Sequence, residues 1–237
     1  MEIQGASALV TGAGRGIGRS IALALARAGA YVTTVSRTAV QLDSLVEQIE
    51  AEGGRARAHA GDVCDPQICE GAVRAAATHG RLQILVNNAG IGGFGPLAET
   101  SDPQWDRILG TNLTAVFRLT RAALPQLCNG GGHVFMISSL AGSNPIANMA
   151  AYCASKAALD HLARCLMLEV RHQGVKVTTI APGSVDTAFG GMPRNDATDW
   201  MLQPEDVAGA VLDLLRMRDE AHLSRLEMRP LRPKKRT

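Results

Sequence analysis

The chain has 237 residues, of which 46% are hydrophobic and 19% charged, enough apolar material for a sizeable core and too little charge for a disordered polymer. A net charge of +2, with aromatic residues at 3%, supplies neither the basic footprint nor the stacking surfaces that nucleic-acid binding uses, so no nucleic acid is expected. Five cysteines without CxxC or His-paired spacing suggest neither a disulfide framework nor a zinc site, and no metal is expected. The opening "MEIQGASALV" lacks a basic-then-apolar leader, and no run of ~18 apolar residues occurs anywhere. A cytoplasmic protein in a reducing compartment, with no membrane partner, is the expectation.

In chain order, short apolar runs alternate with longer stretches at helical spacing. Strands are expected at 6–11, 31–36, 55–60, 84–88, 133–138 and 175–180, and helices at 16–27, 40–52, 66–79, 103–126, 149–173 and 204–217. Gly29 and the "EGG" ending at Gly54 close the first two helices, and Asp102–Pro103 reads as an N-cap followed by proline at the first helical position. Strand then helix, repeated, specifies an α/β fold: a doubly wound (Rossmann) parallel sheet of six to seven strands with helices on both faces. No linker or repeat divides it, so residues 1–237 are read as one domain. The unpatterned stretch 183–203, with Met192, Trp200 and Met201, is the expected substrate lid. Residues 225–237, ending "RPLRPKKRT", are the expected basic tail, which as readily reads as a solvated terminus.

Four glycines, Gly12, Gly14, Gly16 and Gly18, stand where the first strand gives way to the first helix. They would let backbone N–H groups approach a pyrophosphate and let the helix N-terminus face it; alone, they would equally make a flexible turn. At the end of the second strand, where such folds read the ribose, stand Ser36 and Arg37 instead of a carboxylate. A hydroxyl and a guanidinium suit the 2′-phosphate of NADP(H), with Arg15 a second cation, although both arginines also read as plain surface charges.

Tyr152 and Lys156 are four residues apart in "AYCASKAAL", so a helix puts them on one face. A free phenol titrates at ~10, and bringing it near neutrality takes roughly 4 kcal/mol of preferential stabilisation, which only a water-poor pocket supplies. The spacing by itself also fits a half-buried Tyr beside a solvated Lys. Ser138 and Ser139 end the fifth strand, where open α/β sheets bind ligands, and a hydroxyl there could hydrogen-bond a carbonyl oxygen as it gains charge. Cys153 is expected to pack on the opposite side of the helix from Tyr152.

"TGAGRGIG" at 11–18, "NNAG" at 87–90, Asn112 in "GTNL", Ser139, "YCASK" at 152–156 and "PGSVDT" at 182–187 together resemble the short-chain dehydrogenases/reductases, the 3-oxoacyl thioester reductases among them. The resemblance implies Tyr152 as general acid in carbonyl reduction and base in alcohol oxidation. Lys156 would lower its pKa and hold the nicotinamide ribose, Ser139 would position the substrate oxygen, and Asn112 would hold a proton-relaying water. For the cofactor it implies Gly12, Arg15, Gly16, Ile17 and Gly18 at the phosphates, and Ser36 and Arg37 at the 2′-phosphate. Asp62 and Val63 would contact the adenine, Asn88, Ala89 and Gly90 would line the central cleft, and Pro182, Gly183, Val185 and Thr187 would meet the carboxamide.

The expected function is thus NADP(H)-dependent interconversion of a ketone and a secondary alcohol, on a 3-oxoacyl thioester or a small carbonyl substrate. The alternative is an inactive NADP-binding sensor or scaffold of the same fold. Helices near 113–127 and 159–170 form a dimer interface in relatives, which implies a homodimer or homotetramer. The chain departs from the family at its end, where "LSRLEMRPLRPKKRT" replaces a Gly-rich closing segment; "RLEMR" offers a seventh, edge strand.

Overall fold

In the computed structural model, which describes residues 1–187, 189 and 199–232, each short apolar run is a strand and each longer one a helix. The order is β1 (Ser7–Thr11), α1 (Gly16–Arg27), β2 (Tyr31–Ser36), α2 (Ala39–Ala51), β3 (Arg55–Ala60), α3 (Pro66–Ala76) and β4 (Leu82–Asn87). There follow α4 (Asp102–Leu109), α5 (Ala115–Leu127), β5 (Gly132–Ile137), α6 (Ala150–Val170), β6 (Val175–Pro182), α7 (Pro204–Arg216) and β7 (Arg225–Met228).

All seven strands are parallel, in the spatial order β3-β2-β1-β4-β5-β6-β7. Period-two alternation sorts the buried side chains between two cores. Ala8, Val10, Phe135 and Ile137 pack under α1, α2 and α7, while Leu9, Val134 and Met136 face α3, α5 and α6. Covered on both faces, the inner strands are buried along almost their whole length, whereas the edge strands β3 and β7 are partly exposed and carry charged residues. The order reverses between β1 and β4, and a crevice opens there at the carboxyl ends of the strands.

Three expectations need correction. The helix expected over 103–126 is interrupted by a π-helical turn at Gly110–Thr114, where one residue more than an α-turn holds is accommodated. Its N-cap is Ser101, whose hydroxyl accepts from the Gln104 N–H, so Asp102 is already helical. The basic tail expected from residue 225 begins only after the edge strand that "RLEMR" offers, because Arg225 to Met228 pair with the free edge of β6 in the register Thr179–Arg225 to Pro182–Met228. Residues 233–237 of that tail lie outside the described residues, as do 188 and 190–198 of the expected lid, Met192 among them. No described helix is long and apolar enough to cross a membrane.

Candidate active site

The glycine turn connects β1 to α1 under tight steric limits. Gly12 has φ +65°, and a Cβ there would lie 2.8 Å from the Asn88 amide nitrogen and 2.9 Å from the Ala89 Cα. A Cβ on Gly18 would collide with the Gly12 carbonyl oxygen, so α1 leaves the sheet closer than any other residue permits. Arg15 precedes α1 in an extended conformation and gives no side-chain cap, which leaves first-turn N–H groups to an anion. The walls of this cradle are thus set by backbone, and the residues present fit a dinucleotide pyrophosphate.

Thr11 holds the cradle to the next strand. Its hydroxyl accepts from the backbone N–H groups of Asn88 and Ala89, both at 3.0 Å, while the Asn88 side chain donates to the carbonyls of Thr11 and Gly12 at 2.9 and 3.3 Å. This role of Thr11 goes beyond what the motif implies; its signal in the sequence is a hydroxyl immediately before the glycines. Ile17 is half-buried in the first turn of α1, against the core.

At the end of β2, Ser36 faces the glycine turn, 3.0 Å from where a Gly14 Cβ would stand, with the Gln41 amide beside it. Gln41 is a further lining residue that the sequence reading missed. Arg37 is exposed and lies 4.0 Å from Asp62, which also accepts from the Cys64 N–H at 2.9 Å; Val63 beside it is buried. Gly183 donates to the Met228 carbonyl at 2.8 Å, tying the end of β6 to β7, and Val185 bridges to Leu202. Thr187 stands across the cleft, its Cγ2 3.1 Å from a Cβ at Gly16.

The four chemically active candidates converge from three elements. Tyr152 and Lys156 lie in the first two turns of α6, both buried, with the ammonium 5.9 Å from the Tyr152 ring centre and donating to the Ile137 carbonyl at 2.9 Å. Ser139, just past β5, hydrogen-bonds the Tyr152 side chain and accepts from the Ala141 N–H at 3.1 Å. Asn112 occupies the π-helical turn. Its amide exchanges two hydrogen bonds with Ile91, at 2.8 and 2.9 Å, and donates to Ser155 at 3.0 Å. A Cβ on Gly90 would sit 3.3 Å from the Asn112 oxygen and 3.6 Å from the Lys156 nitrogen, so Gly90 leaves the space that these two groups share.

Burial dominates both titrations. It pushes the Tyr152 phenol up from its ordinary value, with the Ser139 hydrogen bond opposing. It brings the Lys156 ammonium down to about 8, with the carboxylate of Asp160 opposing. Asp160 is one helical turn beyond Lys156, buried, and paired at 2.6 Å with Arg225 of β7; Arg225 also donates to Ser143 at 2.6 Å. This strut binds the last strand both to α6 and to the turn that follows Ser139. Cys153 does pack, but against the cluster of Ala141, Met149 and Tyr152 rather than away from it.

A parallel sheet with a glycine cradle at its switch point, and a buried Tyr-Lys pair beside it, defines a dinucleotide-binding oxidoreductase fold. The family model for short chain dehydrogenases matches residues 6–197, and the chain belongs to the short-chain dehydrogenase/reductase family. It is 42% identical over 181 residues to "Probable oxidoreductase EphD" of Mycobacterium tuberculosis, a match covering 75% of this chain and 31% of that protein, so the matched region spans about a third of that relative. It is 32% identical to sepiapterin reductase of Chlorobaculum tepidum, over 94% of this chain and 95% of that one. Among solved structures, the alcohol dehydrogenase of Thermococcus sibiricus in complex with 5-hydroxy-NADP superposes with a TM-score of 0.89 at 30% identity, covering 96% of this chain and 98% of that one.

Proposed function

We propose that the protein is an NADP(H)-dependent oxidoreductase that interconverts a ketone and a secondary alcohol, working toward the alcohol at neutral pH. The observation that carries this reading is the meeting of the half-buried Ser139 with the buried Tyr152 and Lys156 beside the cradle. In reduction, Tyr152 is the general acid: burial keeps its phenol protonated, the form that can give a proton to a carbonyl oxygen. Ser139 donates a hydrogen bond to the same oxygen as charge builds there. When bound, the nicotinamide supplies a hydride, with its electron pair, to the carbonyl carbon. The oxygen takes the phenolic proton, C=O becomes CH–OH, and the phenolate left behind is held by the Lys156 ammonium until a proton returns by way of the space between Asn112 and Lys156.

The cofactor would lie with its pyrophosphate on Gly12, Arg15, Gly16, Ile17 and Gly18 and its adenine at Asp62 and Val63. Asn88, Ala89 and Gly90 would line the middle of its path. Tyr152 and Lys156 would hold the nicotinamide ribose, and Pro182, Gly183, Val185 and Thr187 would meet the carboxamide. Ser36, Arg37 and Arg15 support NADP(H) over NAD(H), since no carboxylate ends β2 to repel the 2′-phosphate. A homodimer through α5 and α6 fits the exposed Phe117 and Leu168 on those helices.

Titration of the purified chain with both reduced cofactors tests the first half: NADPH should bind at least about tenfold tighter than NADH, and tighter NADH overturns it. Tyr152→Phe tests the second. It should lose about a thousandfold in kcat while binding NADPH as before, whereas a sensor or scaffold would be indifferent to the change.

A further inference from the structure

The two loops bordering Tyr152 on its outer side differ in kind from those around the cradle. One follows β4 and the other precedes α6, and they are joined where the Gly95 N–H donates to the Asn148 carbonyl at 2.9 Å. Asn148 holds a left-handed φ of +62° to make that contact, a conformation Asn tolerates better than other residues with a Cβ. Within two residues of this join stand Phe94, Leu97 and Ile146, at 55%, 66% and 48% exposure. Large apolar side chains held this far into solvent on a pinned backbone form a surface that awaits apolar cover. Immediately inward are Met149, Ala141 and the Tyr152 ring itself, with the Phe189 ring 5.6 Å from that of Tyr152.

Among the described residues, these two loops carry no charge up to Glu99. Residues 82–98 and 122–155 contain no Asp, Glu, Lys or Arg, and the first charges beyond the rim, Glu99 and Asp102, are acidic and exposed. The cradle side presents Arg15 and Arg37. Among the described residues, an anionic substrate tail would therefore meet no cation on these two loops and two carboxylates near them, while an apolar tail would find three side chains to cover.

Resting on the reading of this site as a ketone reductase, we propose that its substrate is an uncharged ketone whose larger substituent is apolar and lies across Phe94, Leu97 and Ile146. Carboxylates, phosphates and thioesters on anionic carriers are then poor substrates. The reaction stays balanced as above, with hydride to carbon and the Tyr152 proton to oxygen.

The test uses the full chain with NADPH and matched pairs: acetylbenzoate against its methyl ester, and acetoacetyl-CoA against the uncharged acetoacetyl-N-acetylcysteamine. The neutral member of each pair should have a kcat/KM at least about tenfold higher. Phe94→Ser and Ile146→Ser, both at exposed positions and safe for folding, should raise KM for the methyl ester several-fold more than KM for butanone. Equal or better turnover of the charged members, or rim variants that move both KM values alike, overturns the substrate class while the ketone reductase stands. Failure of every ketone with NADPH overturns both.

Discussion

Strand β5 has a buried base near each end, and the two ends treat charge in opposite ways. At its start, His133 lies within the sheet, hydrogen-bonded to the Thr178 hydroxyl at 2.8 Å and stacked 4.0 Å from Phe135. Burial drives its imidazole down to about 3, and the charges around it, His222, Lys176 and the N-terminal amine, all push the same way. At its end, the Ile137 carbonyl receives Lys156, which is desolvated at least as severely yet falls only to about 8, helped by the carboxylate of Asp160. Burial lowers both bases, and their ordinary values of 6.5 and 10.5 leave the imidazole neutral and the ammonium largely charged near pH 7; the charges around each widen that difference. The amino end of the strand is built to stay neutral and serve packing, and the carboxyl end to keep one positive charge beside a phenol.

The widest gap between the ends should open when the charged one is emptied. Lys156→Met removes the group proposed to stabilise the phenolate, and kcat/KM should drop by about a hundredfold or more. In the parent protein kcat/KM should fall as pH rises through about 8; steady-state profiles of both forms check this, and a Met variant that retains that limb would separate it from Lys156. Next comes the strut behind the lysine. Arg225→Met leaves the Asp160 carboxylate buried without its partner and should cost about 2 kcal/mol, less than in a fully enclosed pair because the Arg225 side chain keeps 22% exposure. Urea unfolding measures it, and adding Asp160→Asn to Arg225→Met should restore part of the loss.

The smallest effect belongs to the neutral end. The unfolded imidazole, with its ordinary value of 6.5, binds a proton that the folded one refuses until about 3. Stability is therefore complete above 6.5 and drains away as pH falls toward 3. Between neutral pH and about pH 5.5 the loss should be about 1.4 kcal/mol. Urea midpoints at the two pH values give this difference, and His133→Gln should flatten it; an equal slope in the variant would assign the loss to other groups.

Much of this arrangement is legible in the residue order. Six strands and six helices follow from apolar runs and glycine stops, because the inner strands of a parallel sheet are buried on both faces and read as unbroken apolar runs, while the edge strand β3 shows itself by the alternation of "RARAHA". Tyr152, Lys156, Ser139 and Asn112 stand out because their types and spacing belong to one chemistry. What escapes is non-local. Nothing near Arg225 announces a partner 65 residues earlier, although Asp160, one turn beyond Lys156 in "SKAALD", marks that helix face. The upward push on the Tyr152 phenol is likewise invisible, since it depends on how much water the assembled pocket excludes. The break in the helix at Gly110–Thr114 is marked by no proline and by a single glycine, since a π-turn costs the sequence only one surplus residue.

That surplus has a consequence for how the chain can drift. A deletion of one residue between Gly110 and Thr114 would mend the hydrogen-bond ladder and look, locally, like an improvement. It would leave α5 nearly in phase, because the wide turn already absorbs the surplus residue, yet it would remove the bulge that holds the Asn112 amide against Ile91. The turn can therefore lose neither that amide nor its extra residue without losing the contact.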